Sequence, residues 1–270
     1  MADPSELAGG KLVLDRPAEA VARLRISNPG KRGALDHELL EGLAAALPTL
    51  AEGIETRCVI VTGTGDAFSA GYDIGGISDE SFTEEAEALV AHPFHEAMEA
   101  LSAHPYPTLA AINGHCLGGG LELAVRCDLR ICAAGATLGM PPARLGLIYG
   151  HTGLERFIDA IGIARTKELF LVGRSIDAAR AAAMGLVSDV MPGERLEQAA
   201  VELAAEIAAN APLSLRGNKR AIEALAGSSR LDPEQERELI DLRRSCFESE
   251  DLREGVRAFA EKRKPRWRGR

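Results

Sequence analysis

Three consecutive glycines stand next to a carboxylate in the middle of the chain, in an order that could stabilise a negatively charged intermediate. Gly118, Gly119 and Gly120 follow a strand-like apolar stretch at 108–112 and an Asn-Gly turn signal, and the apolar residues after them predict a buried helix. The glycines leave backbone N–H groups exposed that the new helix cannot use internally. Those groups, with the positive end of the helix dipole behind them, favour an anion or a developing oxyanion.

Glu122 lies two residues beyond the last glycine, on a helix that is otherwise apolar there. A carboxylate in such surroundings must be paired with a cation, hydrogen-bonded or protonated. One interpretation is a glutamate that only caps the start of its own helix. Because the turn with exposed backbone is adjacent, proton transfer is the competing interpretation.

The composition favours a large protein with an aliphatic core. Of 270 residues, 46% are hydrophobic but only 4% aromatic, and the net charge of −9 argues against a nucleic-acid binder acting through its whole surface. The five cysteines have no metal-binding spacing, which predicts buried thiols in a reducing cytoplasm and no metal site. The N-terminus has no signal-peptide pattern, and no long uncharged apolar run predicts a membrane span.

Strand and helix signals alternate along most of the chain, which favours an α/β fold. We expect a loose tail at 1–10 and a purely helical signal beyond Pro192-Gly193, which divides the chain into 1–192 and 193–270. The predicted strands are 11–14, 21–26, 57–62, 108–112, 129–133 and 186–190. The predicted helices are 36–50, 79–102, 153–161, 164–172, 177–184, 195–209, 214–226, 233–247 and 251–262.

Three stretches resemble the crotonase (enoyl-CoA hydratase/isomerase) superfamily. NGHCLGGGLELAVRCDLRICA at 113–133 resembles its second signature, TGTGDAFSAGYDIGGIS at 62–78 resembles its first, and FAEKRKPRW at 259–267 resembles its C-terminal end. The resemblance implies a spiral of ββα repeats that carries the acyl-CoA site, followed by a small C-terminal helical region for oligomerisation and CoA contact. It also implies a CoA thioester as substrate, no further cofactor, and a homo-oligomer, either a trimer or a dimer of trimers.

The resemblance assigns two backbone N–H groups to an oxyanion hole for the thioester carbonyl, those of Tyr72 and Gly119. Such donors are worth roughly 3–4 kcal/mol each to a transition state. The family usually has a small residue where Tyr72 stands. Its phenol side chain either contacts the acyl group or is simply a packed aromatic.

The resemblance also implies a set of contacts with CoA and substrate. Lys31 and Arg32 would face the diphosphate, as basic side chains can, although either could be an ordinary solvated charge. Asp73 would either touch the ligand or brace its loop. The full set of predicted binding residues is Lys31, Arg32, Ala34, Ala70, Asp73, Ile74, Leu117, Gly118, Pro141, Pro142, Phe259 and Lys262.

One departure from the family pattern affects the reaction. Glu122 matches the first of the two catalytic glutamates of a hydratase, but Pro142 occupies the position of the second. A proline side chain can neither accept nor donate a proton, so hydration and isomerisation both lack a group there. The loop at 140–153 resembles the methylmalonyl-CoA decarboxylase branch, in which Tyr149 would orient the leaving carboxylate. His151 is a weaker candidate proton donor.

Two other classes of protein are weighed against this interpretation. An α/β-hydrolase would need a glycine where Ala67 precedes Phe68-Ser69, and no convincing helix follows. A crotonase scaffold that binds CoA or a partner without catalysis stays open because of Pro142. The basic residues at 262–270 are typical of a solvated tail, so no nucleic acid is predicted as a partner.

Overall fold

The molecule is built from eleven strands and eight helices in the part of the chain that the computed structural model describes. That part comprises residues 4–73, 90–145, 148–226 and 249–270, with residues 234, 237, 238, 240, 241 and 245. The strands are β1 Ser5–Leu7, β2 Leu12–Ala18, β3 Val21–Ile26, β4 Cys58–Gly63, β5 Ala67–Ser69, β6 Thr108–Ile112, β7 His115–Leu117, β8 Leu129–Ala133, β9 Thr137–Gly139, β10 Ile176–Asp177 and β11 Asp189–Met191. The helices are α1 His37–Leu50, α2 His95–Ser102, α3 Gly119–Arg126, α4 His151–Lys167, α5 Ala178–Met184, α6 Gly193–Ala208, α7 Pro212–Ala226 and α8 Glu250–Ala260.

The strands form two sheets. The larger sheet has the order β1-β2-β3-β4-β6-β8-β11 and the smaller one the order β10-β9-β7-β5. In the larger sheet β3, β4, β6, β8 and β11 are parallel, and β1 and β2 are added antiparallel at one edge. Each of β4, β6 and β8 is followed along the chain by one short strand of the smaller sheet and then by a helix, which confirms the predicted ββα repeats.

The central strands of the larger sheet are buried on both faces, as parallel strands usually are. Val59 and Val61 of β4 pack into the main core with the smaller sheet and α1, whereas Cys58 and Ile60 face a second core. Helix α6 covers that second core with Leu196 and with three alanines at 200, 204 and 208. The continuous apolar runs in the sequence reflect this burial on two sides.

The smaller sheet determines where the glycine turn lies. Strand β7 pairs in parallel with both β5 and β9, so the residues that follow it start α3 between the chain segments after Ser69 and Gly139. Helix α3 is buried all round. Since an eight-residue helix is marginal alone, tertiary packing must stabilise it.

Several elements differ from the prediction. The described part of the expected loose tail contains β1, whose backbone pairs with β2. The helices predicted at 153–161 and 164–172 follow one another directly, with a break at Gly162, whose φ is 76°. Of the helix predicted at 79–102, only residues from 90 onward are described, and most of 233–247 lies outside the described residues. The division at residue 192 stays a prediction, although α6 directly after it packs on the larger sheet.

His104 makes stability depend on pH. Its ring is 2% exposed, neither ring nitrogen has a well-formed hydrogen bond within the described chain, and burial followed by the charge of Lys219 lowers its pKa to about 4. The fold therefore requires the neutral ring. The part of the unfolding free energy that depends on a neutral His104 is fully present above the unfolded pKa of 6.5. It is lost as the pH falls towards 4, and the total loss is on the order of 3 kcal/mol.

We expect His104→Leu to flatten the fall in unfolding free energy between pH 6.5 and pH 4.5, because the variant has no buried ring to protonate. Urea denaturation at a series of pH values measures this. The matched control is His95→Leu, which removes an exposed histidine and should leave the slope unchanged. Equal slopes for wild type and His104→Leu would contradict the assignment.

Candidate functional site

The glycine turn leaves a backbone donor free at the start of α3. Gly118 has a φ of 52° and a ψ of −125°, its N–H donates to the carbonyl of Gly139 at 2.9 Å, and its carbonyl accepts from Leu121 and Glu122. Gly119 is the first residue of α3, so its N–H has no acceptor within the helix. The sequence prediction of a strand, a glycine turn and a helix start is confirmed.

The second predicted donor lies in a short extended segment beside this turn. Leu35 donates to the carbonyl of Gly71 at 2.8 Å and accepts from Asp73 at 3.0 Å, so the intervening Tyr72 N–H points away from Leu35. A Cβ atom on Gly71 would lie only 3.3 Å from the nitrogen of Gly119. The structure thus brings the Tyr72 and Gly119 segments together, while their joint action on an oxyanion stays a prediction.

The Tyr72 side chain packs between Phe94 and the glycine turn. Its ring meets that of Phe94 edge to face with centroids 4.8 Å apart, and one ring carbon lies 2.8 Å from where a Cβ atom on Gly119 would be. Tyr149 lies close enough to influence the ionisation of the Tyr72 hydroxyl. Burial, and then the nearby Glu122, raises the pKa of Tyr72. The Tyr72 ring is therefore a packed aromatic that also lies beside Gly119, so packing and a predicted contact with the acyl group are compatible.

Glu122 and Tyr149 form a direct pair. The Tyr149 hydroxyl donates to Oε2 of Glu122 at 2.5 Å, and the glutamate is 3% exposed. Burial raises the pKa of Tyr149 well above its ordinary value, and the neighbouring Tyr72 and Glu122 add to this rise. Tyr149 therefore stays a neutral hydrogen-bond donor at physiological pH.

Arg126 holds the other oxygen of Glu122, and the sequence interpretation missed it. Its Nε and Nη2 donate to Oε1 at 3.3 and 3.1 Å, and its side chain is 2% exposed. The remaining contacts reach Ser102 Oγ at 3.4 Å, the Thr152 carbonyl at 3.4 Å and Glu99 Oε1 at 3.5 Å. The available signal was the spacing of four residues between Glu122 and Arg126 on a buried helix.

The two segments predicted to bind CoA lie side by side. Ala70 donates to the carbonyl of Arg32 at 3.0 Å, and Lys31 forms an ion pair with Asp73 at 2.5 Å. Asp73 therefore braces its loop through Lys31, whose side chain is 55% exposed and can still turn to a ligand. Ala34 is buried behind them, and Ile74 lies outside the described residues.

Pro142, at the position where the family resemblance expects a second carboxylate, follows a segment that is bonded to the glycine turn. Gly139, whose carbonyl accepts from Gly118, is followed by Met140, by half-buried Pro141 and by Pro142, which begins a single 3₁₀ turn. The Leu117 side chain lies 3.3 Å from the Cβ position of Gly139. This segment borders the site without supplying a proton carrier at residue 142.

The C-terminal residues predicted to reach CoA are not joined to this site by any described contact. Phe259 lies in α8 with its side chain outside the described part, and Lys262 is exposed with a φ of 52°. Beyond them, the Trp267 indole donates to the Ala209 carbonyl at 2.7 Å. Contacts of Phe259 and Lys262 with CoA stay predictions.

The described residues contain no cluster of three or more His, Cys, Asp or Glu side chains that could hold a metal ion. None of the described helices is long and apolar enough to cross a membrane. His151, the weaker proton-donor candidate, is exposed at the start of α4.

A substitution at Gly153 tests the packing around the Glu122–Tyr149 pair. A Cβ atom there would lie 2.7 Å from a Tyr149 ring carbon and 2.8 Å from Oε2 of Glu122, whereas one on Gly150 would meet nothing within 4 Å. We expect Gly153→Ala to lower the unfolding free energy by about 1–3 kcal/mol, since overpacking forces these side chains apart. Gly150→Ala is the control, expected within about 0.5 kcal/mol of wild type in urea denaturation. Equal stabilities would contradict this packing.

Comparison with known proteins agrees with this geometry. Residues 16–270 match the family model described as Enoyl-CoA hydratase/isomerase. The 2,3-dehydroadipyl-CoA hydratase of Escherichia coli is 32% identical, over 96% of this chain and 99% of that protein, and the enoyl-CoA isomerase/hydratase of Mycosarcoma maydis is 36% identical, over 93% of each. The crystal structure of an enoyl-CoA hydratase from Bacillus anthracis superposes with a TM-score of 0.87 at 35% identity, covering 96% of this chain and all of that one. The chain belongs to the enoyl-CoA hydratase/isomerase family of acyl-CoA enzymes.

Proposed function

We propose that this enzyme binds an acyl-CoA thioester between the N–H groups of Tyr72 and Gly119 and stabilises its enolate there. The observation that carries the proposal is the position of these donors beside the buried pair of Glu122 and Tyr149. Fixed donors at the carbonyl favour the negative charge of the enolate over the neutral ground state. Glu122 and Tyr149 together handle the proton.

The rest of the ligand would run along the paired segments at 31–35 and 70–73. The exposed ammonium group of Lys31 is a suitable partner for the diphosphate. No cofactor beyond the thioester itself is part of the proposal. The homo-oligomer implied by the family resemblance, a trimer or a dimer of trimers, would cover exposed apolar side chains such as Ile163, Leu171 and Val172.

A second candidate reaction is decarboxylation of a malonyl-type thioester. Losing CO2 produces the same enolate but requires no base to remove a proton, so it tolerates Pro142 in place of the second carboxylate. The specific observation that favours it is the presence of two tyrosines at the site: the Tyr72 ring packs against Gly119, and the Tyr149 hydroxyl bonds to Glu122. Hydroxyl donors are suited to orient a leaving carboxylate.

Incubation of the purified protein with crotonyl-CoA and, separately, with methylmalonyl-CoA tests the reaction. Mass spectrometry detects gain of water or loss of CO2. Gain of water would mean that the Glu122–Tyr149 pair suffices without a carboxylate at 142, whereas loss of CO2 alone would establish the decarboxylase. CoA binding without any turnover of acyl-CoA thioesters would contradict the catalytic proposal and favour a binding scaffold.

We expect Glu122→Gln to lower turnover at least tenfold, or about 1.4 kcal/mol in barrier, because an amide cannot accept the proton. Steady-state kcat and KM for the thioester that is turned over provide the measurement. Glu168→Gln is the matched control, since Glu168 forms an ion pair with Arg180 outside the site. Unchanged turnover in Glu122→Gln would remove this carboxylate from the mechanism.

A further inference from the structure

Both oxygens of the Glu122 carboxylate are occupied by donors of different kinds. Oε1 is held by the charged guanidinium of Arg126, and Oε2 is held by the neutral hydroxyl of Tyr149. Glu122 and Arg126 are both almost fully buried, with side-chain exposures of 4% and 2%. The Tyr149 side chain that bonds to Oε2 is half buried and therefore more accessible than the carboxylate itself.

The guanidinium is itself fixed from several sides. It contacts Ser102 at the end of α2, the Thr152 carbonyl in the first turn of α4, and Glu99, whose exposed carboxylate approaches from the outside. These contacts fix the Arg126 side chain, so it cannot change position when a substrate binds. It can only hold the carboxylate in one place.

We propose that Arg126 is a positioning residue, which fixes Glu122 through Oε1 and reserves its Oε2 for Tyr149, so that Tyr149 is the group that exchanges a proton with the substrate. The inference rests on the proposed function and adds the order in which Tyr149 and Glu122 take up the proton. No role in catalysis follows for Arg126 itself, because it touches only Glu122 and the protein around it.

The proton transfer balances without any further reactant. A proton leaves the substrate, or a water that attacks it, and bonds to Oη of Tyr149 while the original hydroxyl proton of Tyr149 moves to Oε2 of Glu122. The carboxylate becomes neutral, the tyrosine stays neutral, and the negative charge lies on the enolate in the oxyanion hole. The reverse path returns a proton to an enolate, including one formed by loss of CO2, once Glu122 has been protonated from solvent.

The charged and titratable groups that face Glu122 in the described structure favour proton transfer through a neutral Tyr149. Arg126 is the cation in direct contact with the carboxylate, Glu99 partly offsets it from the far side, and Tyr72 and Tyr149 are the neighbouring titratable hydroxyls. Burial raises the pKa of both tyrosines, so neither is ionised near neutral pH. A relay in which Tyr149 stays neutral avoids placing a phenolate beside a carboxylate.

The test compares Arg126→Gln, which removes the charge but can still donate a hydrogen bond, with Arg126→Lys, which keeps the charge but loses the bidentate donor geometry. We expect Arg126→Gln to lower kcat at least tenfold while KM changes less than twofold, because a displaced Glu122 no longer receives the proton of Tyr149 although the thioester still binds. Arg126→Lys should restore part of the lost kcat. Arg180→Gln removes an arginine from an exposed ion pair as the matched control and should leave both constants unchanged.

A second readout does not depend on turnover. Carbon-13 NMR of tyrosine-labelled protein reports the hydrogen bond of the Tyr149 hydroxyl to Glu122, and the absence of the Tyr149 ring signal from Tyr149→Phe identifies it. At a fixed pH this signal should shift in Arg126→Gln and return towards its wild-type position in Arg126→Lys. An unmoved Tyr149 signal in Arg126→Gln would show a merely structural arginine and overturn the proposal. If no thioester is turned over, the proposed function fails, while the Tyr149 signal still decides the role of Arg126.

Discussion

The buried ion pair of Glu122 and Arg126 is the interaction on which the site depends. A carboxylate in an apolar core is unstable without a partner, and removing one member of such a pair typically costs about 3–5 kcal/mol. Arg126 meets that requirement from the same helix, and its remaining donors reach Ser102 and the Thr152 carbonyl. The ion pair thus also ties the end of α2 and the first turn of α4 to α3.

The second constraint is a matter of backbone geometry. Each of β4 and β6 runs into a short strand of the smaller sheet, and the chain leaves β5 and β7 through glycine-containing segments that lie against each other. The strand bridge between Leu35 and Tyr72 turns the Tyr72 N–H away from Leu35, and the helix start frees that of Gly119. Because these N–H groups belong to the main chain, the bulky side chain of Tyr72 does not remove its N–H group.

The sequence predicted what depends on local signals. Strands 21–26 and 108–112 match β3 and β6 in full, because their apolar runs are bounded by clear turn signals. The short strands β5, β7 and β9 were not predicted, since three residues carry too little periodicity and form only through pairing with distant segments. At the site, the glycine turn and Glu122 were recognisable from their spacing, whereas Gly119 was singled out within the turn only by the family resemblance. Arg126 was not singled out, because only the burial of α3 on every side distinguishes it from an ordinary surface arginine.

The loss of a carboxylate at Pro142 and the presence of Arg126 have related consequences. Two free carboxylates can divide the work of holding and polarising a water molecule, but here the single glutamate already uses one oxygen for a guanidinium and the other for a phenol. In the proposed relay, proton movement at the thioester passes through the hydroxyl of the half-buried Tyr149. A site of this kind would depend more on stabilising the enolate than on a strong base, because the donors proposed at Tyr72 and Gly119 are fixed by the backbone. Chemistry that generates the enolate by breaking a bond other than C–H therefore makes the smallest demand on the groups that this chain retains.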